Sequence, residues 1–243
     1  MNLLQTVLDW ASQQDVDSGD CHNCNHPSSE CSGSCQDCLN EIHFWYRKNY
    51  IRRTRYNCRN LAFEYAKRYT ERYCENIIYA CNAIDFSLYE EISILSLGCG
   101  ISPDLMAFED ILGGDYFCYR GIDDNKRWKE FQDVIYDYSD KRNFEVDFMK
   151  QSVFKNSEVY DAFYNIIVMQ FFISSVLGEG GRINDIRNLF DELIGEIMER
   201  WYNSKSTTPF LFVLNDTDHV RTGRKQFYDL LDVLVEYGYR GTV

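Results

Sequence analysis

Ile92-Ser-Ile-Leu-Ser-Leu-Gly-Cys-Gly-Ile-Ser-Pro-Asp104 is the stretch that decides the fold of this 243-residue chain. Residues 93–97 are short, apolar and rich in strand formers. The run stops at Gly98-Cys99-Gly100. Pro103 suits the first turn of a helix, and the spacing that follows predicts a helix over 103–112. Strand, glycine turn and helix in that order bring a nucleotide-like ligand against bare backbone. Glycine serves there because a Cβ would block close approach and disfavour positive φ.

Outward from this turn, strand and helix patterns alternate. Strands are expected at 93–97, 115–122, 143–146, 165–169 and 210–214, with a sixth beginning at 239–243. Helices are expected at 103–112, 126–137, 171–177, 183–201 and 221–236. Such alternation predicts an α/β domain with a doubly wound, mostly parallel sheet over residues 91–243. Right-handed crossovers would put the strand ends along one edge, where a ligand sits at the switch in strand order. Residues 1–90 read as a separate helical module. A leading helix occupies 1–17, with Leu4, Val7, Leu8 and Ala11 on one side. Helices at 40–54 and 57–83 follow, the second carrying Leu61, Tyr65, Tyr69, Tyr73 and Ile77 at four-residue spacing.

Leu97-Gly98-Cys99-Gly100 resembles motif I of the class I, Rossmann-like SAM-dependent methyltransferases. Ser102 stands where that family often has a third glycine. The dinucleotide pattern G-x-G-x-x-G fits less well, because its last glycine would fall on Pro103. The resemblance covers residues 92–240. It implies S-adenosylmethionine (SAM) as cofactor and methyl donor, a Rossmann-like fold, and a set of cofactor-binding residues. Gly98, Cys99 and Gly100 would face the amino-acid tail. Asp123 would accept from the ribose diol, with Asp124 beside it as second candidate. Asp147 and Phe148, after the third strand, would contact the adenine. Gln170 would close the fourth strand, near the transferred methyl. Each has a plainer structural use: acids after strands also cap helices, and a lone Phe is commonly core. The family ends in an antiparallel hairpin, and the chain past residue 239 has length for its first strand only.

The acceptor is not named by the sequence. The chain has three prolines, at 27, 103 and 209, so it carries neither the Asn/Asp-Pro-Pro-aromatic run of DNA amino-methyltransferases nor the Pro-Cys of cytosine C5 enzymes. Asn215-Asp216, with Asp218 and His219 close by, forms another candidate substrate edge. His219 suits a general base by its pKa, and equally an exposed loop histidine. Catalytic residues stay unassigned, because methyl transfer from an activated sulfonium mainly asks for alignment and exclusion of water.

Five of the ten cysteines crowd into Cys21-x2-Cys24-x6-Cys31-x3-Cys35-x2-Cys38. Two C-x-x-C pairs suit a tetrahedral zinc. Segment 18–43 has almost no apolar side chains and would need such a metal to be ordered. Cys31-x3-Cys35-x2-Cys38 also matches the iron–sulfur motif of radical SAM enzymes. That fold places the motif after a strand; here none precedes Cys31, and Asp37 replaces the usual aromatic.

The net charge of −13 disfavours nucleic acid as a partner of the whole surface. It is unevenly spread. Residues 41–73 hold nine Lys or Arg against three Glu, a local +6 that leaves −19 on the remainder. Arg47, Lys48, Arg52, Arg53 and Arg55 interleave with Phe44, Trp45, Tyr46, Tyr50 and Tyr56. Such a surface suits nucleic acid or a protein partner; alternatively its arginines pair with the acidic domain. No apolar run reaches eighteen residues, so no membrane span is expected. The first fourteen residues lack the basic start of a signal peptide, so the reading is cytoplasmic.

The sequence thus predicts a SAM-dependent methyltransferase with a zinc-binding N-terminal segment. The alternative is a non-catalytic, zinc-dependent binding module carrying a degenerate Rossmann domain, and a radical SAM enzyme is the third reading. Metal analysis separates the last: the zinc reading expects a colourless protein with about one zinc per chain, lost in Cys35→Ser or Cys38→Ser. A brown, iron-containing anaerobic preparation would contradict it.

Overall fold

The computed structural model describes residues 1–14, 35–36, 39, 58–154, 162–178, 183–204, 208–216, 228, 231–232 and 235. Five strands form the sheet: β1 (Ser93–Leu97), β2 (Phe117–Ile122), β3 (Phe144–Met149), β4 (Ile166–Gln170) and β5 (Leu211–Asn215). Their order is β3-β2-β1-β4-β5, and every pairing is parallel. The order reverses between β1 and β4, and there the connections leave for opposite faces of the sheet. This is the doubly wound α/β architecture that the alternation predicts.

Alternation along each strand supplies both faces. Ile94, Phe117, Tyr119, Phe144, Ile166, Val168 and Val213 belong to one core. It is completed by α1 (Leu3–Gln13), α2 (Arg59–Cys81), α3 (Pro103–Leu112) and α4 (Lys129–Ser139). Leu95, Leu97, Ile122, Ile167 and Met169 point the other way, into a second core with α5 (Phe172–Gly178) and α6 (Ile183–Asn203). β1 and β4 are buried on both faces; β4 reads as an unbroken apolar run over Ile166–Met169, while β1 carries a buried serine, Ser96, among its aliphatic residues.

The leading helix joins the first core. Asn2 caps it by accepting from the Gln5 N–H at 3.0 Å, and Leu3, Val7 and Ala11 are buried. Trp10 packs on Phe63 of α2 and Phe131 of α4, each at 5.3 Å between centroids, while Phe63 and Phe131 are 4.8 Å apart. Arg59 sits over Phe63 at 4.5 Å and pairs with Glu130 at 2.8 Å. For this one residue of the basic segment, the charge faces an acid of the α/β domain.

Several boundaries differ from the sequence reading. β2 begins at Phe117 rather than 115, because Gly113 and Gly114 have φ of 60° and 106° and turn the chain first. The helix expected at 126–137 is a 3-10 turn at Lys126–Trp128 followed by α4. β3 runs on to Met149 instead of stopping at 146, and pairs with all six residues of β2. Asp147 and Phe148 are therefore inside the strand, not after it. The expected helix at 40–54 and strand at 239–243 lie outside the described residues, as does most of the helix expected at 221–236.

Phe131 is fully buried where α1, α2 and α4 meet. Phe131→Ala should cost about 3–5 kcal/mol of unfolding free energy, from lost transfer energy and the cavity left behind. Chemical denaturation followed by circular dichroism measures it; a loss under about 1 kcal/mol would mean that the helical module does not depend on this contact.

Candidate functional site

The turn after β1 is built from three left-handed residues: Gly98 at φ 69°, Gly100 at 57° and Ser102 at 60°. The N–H groups of Gly98 and Cys99 both donate to the Ile122 carbonyl, at 2.8 and 3.1 Å, folding the turn toward the end of β2. The Ser102 N–H donates to Cys99 O at 2.7 Å, so the chain reverses into α3. A Cβ at Gly98 would lie 2.9 Å from the Phe172 ring. At Gly100 the nearest atoms to such a Cβ would be those of Trp128, at 3.8 Å. Ser102 takes a conformation that favours glycine, and its hydroxyl makes no capping bond to α3.

Asp123, the first residue after β2, is half-buried and reaches back to this turn. One carboxylate oxygen accepts from the Gly100 N–H at 3.0 Å and the other from the Asn125 N–H at 2.8 Å. Asp124 is exposed. Gly98, Cys99, Gly100 and Asp123 are thus brought together.

Asp147 and Phe148 part company, because successive strand residues face opposite ways. Asp147 accepts from Arg120 Nε at 2.8 Å, across the register pair Arg120–Asp147. Arg120 also donates to the Tyr164 hydroxyl at 2.9 Å. Phe148 faces the other core, its ring against Tyr136 at 5.3 Å and so close to Gly121 that a Cβ there would sit 2.9 Å away. Gln170 does close β4; its side-chain Nε2 donates to the Tyr73 carbonyl of α2 at 2.8 Å. Asp216 accepts from the Ser174 N–H at 3.0 Å, tying the end of β5 to the first turn of α5. Asp218 and His219 lie outside the described residues.

Three residues around the turn escape the sequence reading. Gly121 has ordinary φ, yet a Cβ there would be 2.8 Å from the Cys99 sulfur. Trp128 and Gln132 cover Gly100, Gln132 by donating to its carbonyl at 3.3 Å. The aromatic in the helix that follows β2 was the available signal for Trp128; nothing local marks the other two.

Beneath the turn sits a buried acid. Asp104, in the first turn of α3, is 1% exposed. The Tyr119 hydroxyl lies 3.1 Å from both of its oxygens. Burial pushes its carboxyl up to about 6, while the hydroxyls of Ser96 and Tyr119 and the first N–H groups of α3 pull the other way. Burial, with Asp123 and Asp104 nearby, also raises the Cys99 thiol well above its ordinary value. That thiol stays protonated at neutral pH, so it is no nucleophile.

Of the cysteines proposed to hold zinc, Cys21, Cys24, Cys31 and Cys38 lie outside the described residues, and Cys35 is buried. Among the described residues no group of three His, Cys, Asp or Glu could hold a metal. The zinc expectation has no support among the described residues. No described helix is long and apolar enough to cross a membrane.

No family model matches this sequence, and no curated protein matches it. Solved structures with a similar course of the chain include methyltransferases. The plantazolicin methyltransferase in complex with SAH is 14% identical, with 84% of this chain and 79% of that chain covered and a TM-score of 0.39. The magnesium protoporphyrin IX methyltransferase of Synechocystis PCC 6803, with bound SAM, is 11% identical over 66% and 70%, with a TM-score of 0.39. The YcgJ protein of Bacillus subtilis is 15% identical, covering 50% of this chain and 44% of that one, with a TM-score of 0.34. This chain thus spans less than half of YcgJ. Likenesses of this size assign no activity.

The buried acid gives a test of the site's electrostatics. The native state holds the Asp104 proton to about pH 6; the unfolded chain holds it only to about pH 4. Asp104 therefore adds stability as pH falls through that window and loses it as pH rises through 6. Asp104→Asn removes the effect. Wild type should gain about 2–3 kcal/mol relative to the variant between pH 7 and pH 4. Paired urea melts across that range measure it, and a difference that stays flat would place the charge elsewhere.

Proposed function

We propose that this protein binds SAM at the β1–β4 edge and transfers its methyl group. One observation carries the reading: the glycine turn at the switch point is joined to the acid at the end of β2 by a single 3.0 Å bond, Gly100 N–H to Asp123. A ligand lying along that edge meets bare backbone first and a fixed carboxylate next. Both glycines have the left-handed φ that keeps side chains out of the cradle. The residues present therefore fit the cofactor.

SAM would supply an activated methyl on a cationic sulfonium. The chain's part is to bind and orient. The N–H groups of Gly98, Cys99 and Gly100 are engaged by Ile122 and Asp123, so the backbone carbonyls of this turn would accept from the ammonium of the amino-acid tail. Asp123, already clamped by two N–H groups, accepts from the ribose diol, and exposed Asp124 stands next to it. The Phe148 ring, against Gly121, belongs to the adenine side. Asp147 is engaged by Arg120 on the other face, which weighs against its adenine role. No general base is required, because the sulfonium is already a leaving group.

Ser102 favours the second reading, a binding module on a degenerate domain, since a serine takes the third glycine's place at φ 60°. Calorimetry separates the two. Wild type should bind SAM or its demethylated product SAH with a Kd of micromolar order, and Asp123→Ala should weaken binding by about tenfold or more. Asp123→Asn retains an acceptor for Gly100 and should fall between them. Neither heat nor thermal shift with either ligand would defeat the methyltransferase reading.

A further inference from the structure

The acid beneath the glycine turn has no counter-charge. Asp104 is 1% exposed, and the Tyr119 hydroxyl meets both of its oxygens at 3.1 Å. The titratable side chains that face it are uncharged at neutral pH. They are Tyr119 from β2, Cys99 from the turn and Cys74 from α2. Burial pushes the Cys74 thiol up to about 12, and Asp104 is among the acids that add to the shift. β1 offers only the Ser96 hydroxyl. Among the described residues no Lys, Arg or His pairs with Asp104. Hydroxyls and the first N–H groups of α3 offset part of the cost of burying a carboxylate, but they bring no unit positive charge.

Its place in the fold decides where that charge is felt. Ser96 and Tyr119 stand two residues before Gly98 and Gly121 on neighbouring strands, and Ser96 pairs in register with Gly121. A Cβ at Gly121 would lie 2.8 Å from the Cys99 sulfur. Besides burial, Asp123 and Asp104 both raise that thiol, so the floor of the turn lies between two carboxylates. Asp123 meets the turn directly, at the Gly100 N–H. Asp104 is closed off from the sheet edge and can act on a ligand there only through its charge. In a low-dielectric core such a charge is felt farther than in water.

We propose that Asp104 is the residue by which this site tells the cationic cofactor from its neutral product. The inference rests on the methyltransferase reading, which lays the ammonium and the sulfonium along the glycine turn. SAM carries those two cations and one carboxylate. Transfer breaks the S–CH3 bond with its electrons going to sulfur, so SAH keeps only the ammonium and the carboxylate and has no net charge. Ionised Asp104 therefore favours SAM over SAH, and the spent cofactor is the weaker ligand. A cation at the turn in turn favours the ionised acid, and pH reads that linkage. Burial holds the carboxyl up to about 6. As pH falls through that value, Asp104 takes up a proton and the preference for SAM fades. As pH rises through it, the preference returns.

The test is calorimetry on the full chain with SAM and with SAH, at fixed ionic strength, from about pH 5 to about pH 7. Both ligands keep their ammonium and carboxylate charged over that range, so the ratio of their Kd values isolates the sulfonium. Wild type should raise its preference for SAM by about threefold or more on going up through the range. Asp104→Asn should hold the ratio constant. Tyr119→Phe removes a hydroxyl that stabilises the carboxylate, and should move the midpoint of the change to higher pH by about half a unit. Where Asp104→Asn fails to fold, the wild-type profile and the Tyr119→Phe midpoint decide. A flat ratio in wild type, a slope that survives in folded Asp104→Asn, or a midpoint unmoved in Tyr119→Phe overturns this proposal and leaves cofactor binding standing. A chain that binds neither ligand overturns the parent reading as well.

Discussion

The clasp between the first two strands is the constraint on which the rest depends. Ile122 O receives two N–H groups of the glycine turn, and Asp123 receives a third. Each bond is modest by itself, about 1 kcal/mol net. Together they hold three left-handed residues within five positions, of which Ser102 is the one that a free chain rarely places there. They also fix where α3 starts, since Ser102 leads directly into Pro103. A loose turn would place neither the backbone carbonyls nor the helix N-terminus at the switch point.

Two packing arrangements keep the clasp rigid. From below, Gly121 admits both the Cys99 sulfur and the Phe148 ring into space that a side chain would fill. From the side, Trp128 and Gln132 close over Gly100. Trp128 in turn packs on Tyr65 and Phe131, so the helical N-terminal residues and the turn share one core. Where they are described, α1 and α2 complete the sheet's first face. Burying the Asp104 carboxyl in that same core carries an energetic cost, and Ser96, Tyr119 and the N–H groups of α3 offset part of it.

The sequence made β1 and α3 legible to the residue, because a doubly buried strand and a glycine–proline junction leave strong local marks. It placed Gln170 at the end of β4 and Asp123 at the end of β2 for the same reason. β3 was less legible. It is an edge strand of the described sheet with one polar face, so Glu145 and Asp147 interrupted the apolar signal and the strand seemed to end early. Asp147, expected after the strand, lies inside it and pairs with Arg120. Gly121, Trp128 and the Gln170–Tyr73 bond depend on contacts between distant parts of the chain, and no single-sequence pattern encodes them. The basic cluster at 47–55 and four of the five clustered cysteines fall outside the described residues.

Amide hydrogen exchange with and without SAH addresses the central claim most directly, because a ligand on that edge suppresses opening of the bonds that hold the glycine turn. Ligand should slow exchange in peptides covering 97–102 and 122–125, by about tenfold or more at saturation, and leave α6 unchanged. Protection absent from those two segments while SAH is bound would contradict a cofactor site at the glycine turn.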